Sequence, residues 1–144
     1  MPIKMNYKTL TKVILILATL TTIGCSKDVS STYTYEPLTN ITYTVKTREL
    51  KYHSDTKSVF MRFELAINNK SNKEVYLDIS KIKASLNSEL SSETYYDSVA
   101  SVLPKKEKLK KGASNFKLYF VYSENLREKN INKFKITSYG LSES

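Results

Sequence analysis

The fold of this chain is decided by residues 59–67, which read VFMRFELAI. Apolar side chains occupy every second position from Val59 to Ile67, and charged Arg62 and Glu64 stand between them. Because successive side chains of a strand point to opposite faces, this period of two predicts a strand with one face in a core. The residues NNKSN at 68–72 then favour a tight turn. The stretch therefore predicts the central strand of an antiparallel sheet, followed by a hairpin.

The same alternation recurs along the rest of the chain. The apolar phase slips by one residue near Ser80, so we expect a bulge, a bend or a change of sheet there. Residues 94–96 predict a weak strand or a loop, and residues 124–132 predict a helical turn or a loop. About seven short strands without a long amphipathic helix predict an all-β antiparallel sandwich. The further strands are expected over residues 41–46, 75–79, 82–86, 116–122 and 133–139.

The N-terminal segment has the features of a secretory signal peptide. Lysines precede an uncharged run, VILILA at residues 13–18, and the small residue Gly24 stands before Cys25. The apolar run from Val13 to Ile23 is about 11 residues long, whereas a membrane-spanning helix needs roughly 20. A permanent transmembrane anchor is therefore not expected. The lysines of this segment are Lys4, Lys8 and Lys12.

Ile23, Gly24 and Cys25 resemble the bacterial lipobox. The resemblance implies cleavage between Gly24 and Cys25 and a diacylglycerol and palmitate anchor on Cys25, so the membrane is an expected partner through this lipid. Ser26 resembles the sorting pattern for the outer membrane, which implies its periplasmic face, or the outer face of the plasma membrane in a single-membrane bacterium. An ordinary secretory signal with an unmodified cysteine is the alternative.

This interpretation divides the chain into three parts. Residues 1–24 form the lipoprotein signal peptide, residues 25–40 the lipidated cysteine and a tether, and residues 41–144 the sandwich domain. Because Cys25 is the only cysteine, no disulfide can form within one molecule, and the domain must be stabilised by its core alone.

The order of elements carries a second resemblance. A long alternating strand, an Asn-rich turn, a loop with Leu103 and Pro104, and Gly112 leading into FKLYFV at residues 116–121 are similar to bacterial immunoglobulin-like domains of the telokin type. The similarity spans roughly residues 40–141. It implies an immunoglobulin-like β-sandwich behind a lipoprotein signal, in a family of unknown function without enzymatic activity.

Residue types that carry catalysis or bind metals are sparse. His53 is the only histidine, so a His- or Cys-based metal site cannot be assembled within one chain. The acidic residues lack calcium-loop spacing, and no glycine-rich phosphate loop is present. We therefore expect no metal and no cofactor. His53 is predicted to be a solvated loop residue, and a serine nucleophile activated by it, as at Ser54, is the alternative.

Two groups of residues are candidates for binding. Five lysines in seven positions follow Pro104 in a chain of net charge +9, and they can attract an anionic partner. Their alternative role is to protect a strand edge from pairing. Exposed tyrosines can bind sugars or proteins, and cross-strand packing is the alternative. The lysines are Lys105, Lys106, Lys108, Lys110 and Lys111, and the tyrosines are Tyr33, Tyr35, Tyr95, Tyr96, Tyr119 and Tyr139.

These observations predict a lipid-anchored binding or accessory module of the cell envelope with no catalytic activity. Its partner is expected to be a protein or an envelope polymer, and nucleic acid is not expected because the domain lies outside the cytoplasm. A small envelope hydrolase and an inhibitor of an envelope-attacking enzyme are the competing interpretations.

Overall fold

The computed structural model describes residues 26–96, 105–127, 131 and 133–143. Within these residues the chain forms antiparallel strands and a short 3₁₀ helix, Glu124–Leu126. The strands are β1 Ser26–Leu38, β2 Ile41–His53, β3 Ser58–Asn69, β4 Val75–Leu86, β5 Glu89–Leu90, β6 Glu93–Tyr96, β7 Lys106–Lys108, β8 Gly112–Ser123 and β9 Phe134–Glu143.

The strands form two sheets that pack face to face. The larger sheet has five strands in the order β1-β2-β3-β8-β6, and in the smaller sheet β4 pairs with β5, β7 and β9. All of these pairings are antiparallel. The predicted all-β antiparallel sandwich is therefore confirmed. Its immunoglobulin-like subtype and the signal peptide before it stay predictions.

The core lies between the two sheets and is filled by the alternating positions that the sequence indicated. Phe63 of β3 and Phe120 of β8 stack near its centre, with ring centroids 4.1 Å apart. Burial of such side chains is the main favourable contribution to folding. The fully buried large side chains are Tyr43, Tyr122, Phe63, Phe120, Ile41, Met61, Leu65, Ile67, Leu77, Ile79, Ile82 and Leu86.

Buried hydroxyl groups join the two sheets through hydrogen bonds to main-chain carbonyls of the smaller sheet. Tyr122 Oη donates to the carbonyl oxygen of Ala84 at 3.0 Å, and Thr94 Oγ1 donates to that of Ile82 at 2.7 Å. Tyr43 Oη donates to the carbonyl oxygen of Tyr139 at 3.1 Å. A buried polar group without a partner is costly, and these bonds satisfy the hydroxyls while fixing the position of one sheet over the other.

The predicted irregularity near Ser80 is confirmed as a break in the pairing of β4 with β9. The register shifts between Leu77 and Ile82, and Ser80 and Lys81 are both exposed there. Gly140 of β9 lies opposite this break with a φ of +72°. A Cβ atom on Gly140 would lie 2.5 Å from the carbonyl oxygen of Asp78 and 2.9 Å from Ile82 Cγ1, so only glycine fits.

One sequence interpretation changes in the structure, and in two other segments the structure agrees with one of the alternatives that the sequence left open. The residues predicted to be a tether form β1 from Ser26 to Leu38, an edge strand that pairs with β2. Residues 94–96 lie in strand β6, and the turn after β8 is the short 3₁₀ helix, whose Leu126 is 2% exposed. The predicted loop with Leu103 and Pro104 lies outside the described residues.

Gly140→Ala is expected to lower the free energy of unfolding by about 2 kcal/mol or more, because the new methyl group meets the backbone of β4 and the left-handed φ becomes strained. Gly112→Ala is the matched control, since Gly112 also has a positive φ, +90°, but no atom within 4 Å of an added Cβ. Its loss should be about 1 kcal/mol. Urea unfolding measures both, and equal losses would show that the contact with β4 is unimportant.

Stability should fall at alkaline pH because of Tyr43 and Tyr122. Burial raises the pKa of both phenols far above 10.0, whereas they titrate near that value in the unfolded chain. Above about pH 10 the unfolded state therefore loses protons that the folded state keeps, which favours unfolding by up to about 1.4 kcal/mol per pH unit for each tyrosine. Urea unfolding at several values above pH 10 measures this slope, and Tyr43→Phe with Tyr122→Phe should reduce it. An unchanged slope in the double variant would contradict the assignment.

Candidate active site

A polar cleft of about 660 Å³ opens at the end of the sandwich where β1 turns into β2 and β3 turns into β4. The end of β9 forms its remaining wall. Polar and charged groups dominate the lining, which suits a ligand rich in hydroxyl groups. The cleft is lined by Glu36, Pro37, Leu38, Thr39, Asn40, Ser71, Asn72, Lys73 and Glu143.

Local hydrogen bonds fix the two turns beside this cleft. Asn40 has a φ of +65°, a left-handed conformation that asparagine tolerates, and its carbonyl oxygen accepts from the backbone N–H of Lys70 at 2.9 Å. In the second turn, Asn69 Oδ1 accepts from the N–H of Ser71, and Ser71 Oγ accepts from the N–H of Lys73, both at 3.0 Å. The side chains of the turns replace main-chain partners, so the walls of the cleft are defined.

Two carboxylates that are far apart in the sequence, those of Glu36 and Glu143, line this cleft. Glu36 Oε2 accepts a hydrogen bond from the backbone N–H of Asn40 at 3.2 Å. Glu143 Oε1 lies 3.7 Å from Lys73 Nζ. The partner of Glu143 is thus a charged ammonium group, whereas the partner of Glu36 is an uncharged backbone N–H group. The cleft thus contains two carboxylates, a residue type that serves in general acid–base catalysis.

The sequence pattern did not indicate this pair. Glu36 was placed in the predicted tether, and Glu143 follows the last alternating residues, so no local spacing connects them. Both residues line the cleft because β1 and β9 are edge strands of different sheets on the same side of the sandwich. Tyr35 of β1 and Tyr139 of β9 contact each other there, with ring centroids 5.5 Å apart.

The lysine segment lies on and beside β7, which pairs with β4. Lys108 Nζ forms an ion pair with Glu74 at 2.9 Å, and Glu74 raises the pKa of Lys108. Lys106 Nζ lies 5.6 Å from the ring centroid of Tyr76, and Lys111 Nζ donates to Asn72 Oδ1 at 2.7 Å. Lys105 and Lys110 are exposed. Binding of an anionic partner by these five lysines stays a prediction.

The remaining residues that the sequence singled out, a histidine, several tyrosines and the predicted lipidation site, lie in different parts of the chain. His53 ends β2 instead of lying in a loop, and its ring stacks on Phe60 with centroids 4.2 Å apart. Tyr33, Tyr35, Tyr96 and Tyr139 pack along the sandwich, and Tyr35, Tyr96 and Tyr139 contact the core. Gly24 and Cys25, the predicted cleavage and lipidation site, lie outside the described residues.

In residues 26–96, 105–127, 131 and 133–143, no cluster of three or more histidine, cysteine, aspartate or glutamate side chains is arranged to hold a metal ion. In the same ranges, no helix has the length and apolar character needed to cross a bilayer.

Comparison with models of known protein families gives a match over most of the chain. The family model of glycosyl hydrolase family 57 matches residues 1–123, which is most of the chain. A search of the curated proteins found no match. A search of the solved structures found none either.

This match corrects three sequence predictions. Assignment to a lipoprotein family of unknown function with a telokin-like domain is wrong, because the family found is one of glycosyl hydrolases. The prediction of a non-catalytic binding or accessory module is wrong for the same reason, as is the prediction that the protein is not an enzyme. The scarcity of histidine and cysteine misled that interpretation, since glycoside hydrolysis needs only carboxylates. Because the family model covers well over half of its length, the chain belongs to glycosyl hydrolase family 57.

Proposed function

We propose that this protein hydrolyses a glycosidic bond in the polar cleft, with Glu36 and Glu143 as the two reacting carboxylates. The proposal is carried by one observation, that both side chains line the same cleft in a member of a glycosyl hydrolase family. It agrees with the small hydrolase that the sequence left as a competing interpretation.

The surroundings of the two carboxylates suggest different roles. We assign Glu143, which lies beside the ammonium group of Lys73, as the base or nucleophile. We assign Glu36, which accepts from the backbone N–H of Asn40, as the acid that protonates the leaving oxygen. The proton of Glu36 passes to the leaving oxygen as the C–O bond breaks, and water adds its hydroxyl group to the anomeric carbon. The remaining proton of that water passes to the carboxylate pair and restores its starting state, so the cleavage balances.

Neutral polar groups of the cleft provide substrate contacts. Asn72 Oδ1 accepts from Lys111 Nζ at 2.7 Å, which orients the amide and leaves its NH₂ group as a possible donor to a ligand. Asn40 and Thr39 lie on the facing turn. Donors and acceptors on both sides of a cleft suit the hydroxyl groups of a sugar, since each buried hydroxyl needs a partner.

The location of this activity is part of the proposal. A lipid on Cys25 would hold the domain at the envelope, at the periplasmic face of the outer membrane or at the outer face of a single membrane. An envelope polysaccharide would then be the substrate within reach, which agrees with the envelope polymer expected as a partner. Mass spectrometry of the N-terminus of the native protein tests the anchor by itself.

Glu36→Gln and Glu143→Gln should each reduce kcat by about 10²-fold or more, because glutamine can neither donate a proton nor act as the base. The measurement is release of reducing ends from a panel of polysaccharides and aryl glycosides by the purified full chain. Glu124→Gln is the matched control, since Glu124 accepts from Tyr52 Oη beside the 3₁₀ helix after β8 and does not line the cleft.

Circular dichroism checks that all three variants fold. Activity in the wild type that survives in both cleft variants would contradict the assignment of the carboxylates. A wild-type protein that releases no reducing ends from any substrate of the panel would contradict the proposed function itself.

A further inference from the structure

Four aromatic rings form a continuous row across the outer face of the larger sheet. This aromatic strip consists of His53 of β2, Phe60 of β3, Tyr119 of β8 and Tyr95 of β6. Neighbouring ring centroids are 4.2 Å, 4.9 Å and 5.6 Å apart in that order. Since adjacent strands lie about 4.8 Å apart, the strip extends over about 14 Å of the sheet.

The strand register explains why these rings meet outside the core. Phe60 alternates with buried Val59 and Met61, and Tyr119 alternates with Leu118 and Phe120, so both rings face away from the smaller sheet. Tyr119 lies opposite Tyr95 in the pairing of β8 with β6. All four rings of the strip are partly exposed.

The position of the strip is unusual for its composition. The solvent face of an antiparallel sheet normally carries polar residues, whereas here four rings adjoin one another. A contiguous exposed apolar surface is typical of an interaction site. Glu93 accepts a hydrogen bond from the Tyr95 hydroxyl and thereby raises the pKa of Tyr95 to about 12, so the hydroxyl stays protonated and its ring is held at the end of the strip.

Cationic side chains border the strip. Lys51 lies opposite Phe60, and Arg62 lies opposite Tyr119. Lys46 and Lys117 lie on either side of Glu64 in the adjacent row, and Arg48 forms an ion pair with Glu64 at 3.0 Å. Carboxylates lie among these cations, and Arg62 Nη1 lies 3.6 Å from Glu49 Oε1.

We propose that this face binds an anionic polysaccharide, with sugar rings packed along the aromatic strip and Lys51 and Lys117 pairing with carboxylates of the glycan. The aromatic row fits the apolar C–H surfaces of sugars, and the bordering cations give charge complementarity. The choice of a glycan as the occupant rests on the proposed function, but the surface is separate from the cleft, which is lined by none of the strip residues.

Single-stranded nucleic acid is the competing occupant, because it also combines stacking with negative charge. The proposed function favours a glycan. Phe60 and Tyr119 are only 10° from parallel with centroids 4.9 Å apart, so no base can insert between them. Their edges and the tyrosine hydroxyls remain for contact with sugar C–H and hydroxyl groups.

Tyr119→Ala should weaken binding of polygalacturonate by about tenfold, because it interrupts the strip at its centre. Lys51→Gln should weaken binding at low salt and reduce its salt dependence. Tyr76→Ala is the matched control, since Tyr76 lies on the smaller sheet under Lys106 and away from the strip. The measurement is affinity electrophoresis of the purified full chain in gels with polygalacturonate, with neutral dextran or with no polymer.

The outcomes separate this proposal from the proposed function. Glu143→Gln should bind polygalacturonate like the wild type. A variant that loses hydrolysis but keeps this binding has therefore lost only the function of the cleft. If Tyr119→Ala fails to fold by circular dichroism, His53→Ala at the end of the strip replaces it with the same expectation. Wild-type protein that does not bind polygalacturonate, binds dextran equally, binds a single-stranded oligonucleotide more tightly, or loses as much affinity in Tyr76→Ala would overturn the proposal.

Discussion

The structure depends on the complete pairing of β3 with a neighbour on each side. Its register with β8 runs without a shift from Ser58 opposite Ser123 to Asn69 opposite Gly112, and β2 covers its other edge. With both edges paired, β3 has one inner row for the core and one outer row for solvent. The inner row supports the smaller sheet through Phe63 and its stacked partner Phe120, and the outer row supplies Phe60 to the aromatic strip.

The sequence predicted what depends on local periodicity. Alternation alone identified the inner rows of β2, β3, β4 and β8, and the one-residue phase change identified the break near Ser80, because each residue inserted in a strand reverses the direction of the following side chains. Alternation did not reveal strand β1. As an edge strand rich in serine, threonine and tyrosine it buries little, so its sequence has no apolar row to detect.

The candidate site could not be predicted because it is assembled from distant segments. Glu36 and Glu143 approach one cleft through the packing of two sheet edges, and nothing in the spacing of either residue signals the other. The aromatic strip could be predicted from the sequence only in part. Tyr95 and Tyr119 were identified as exposed tyrosines, whereas the participation of Phe60 and His53 follows from cross-strand register, which one sequence does not specify. Individual strands can thus be predicted from the local sequence, whereas the two sites depend on how the strands pair and pack.

The close fit of Gly140 against β4 also determines the position of the Glu143 side chain, which lines the cleft. Only a residue without a Cβ can occupy the space opposite Asp78 and Ile82. The last strand, β9, can therefore pair with β4 in only one register. Sliding by one position would turn Glu143, three residues further on, away from its present side of the strand. A residue with no side chain and no polar chemistry thereby sets the side of β9 on which the Glu143 carboxylate lies.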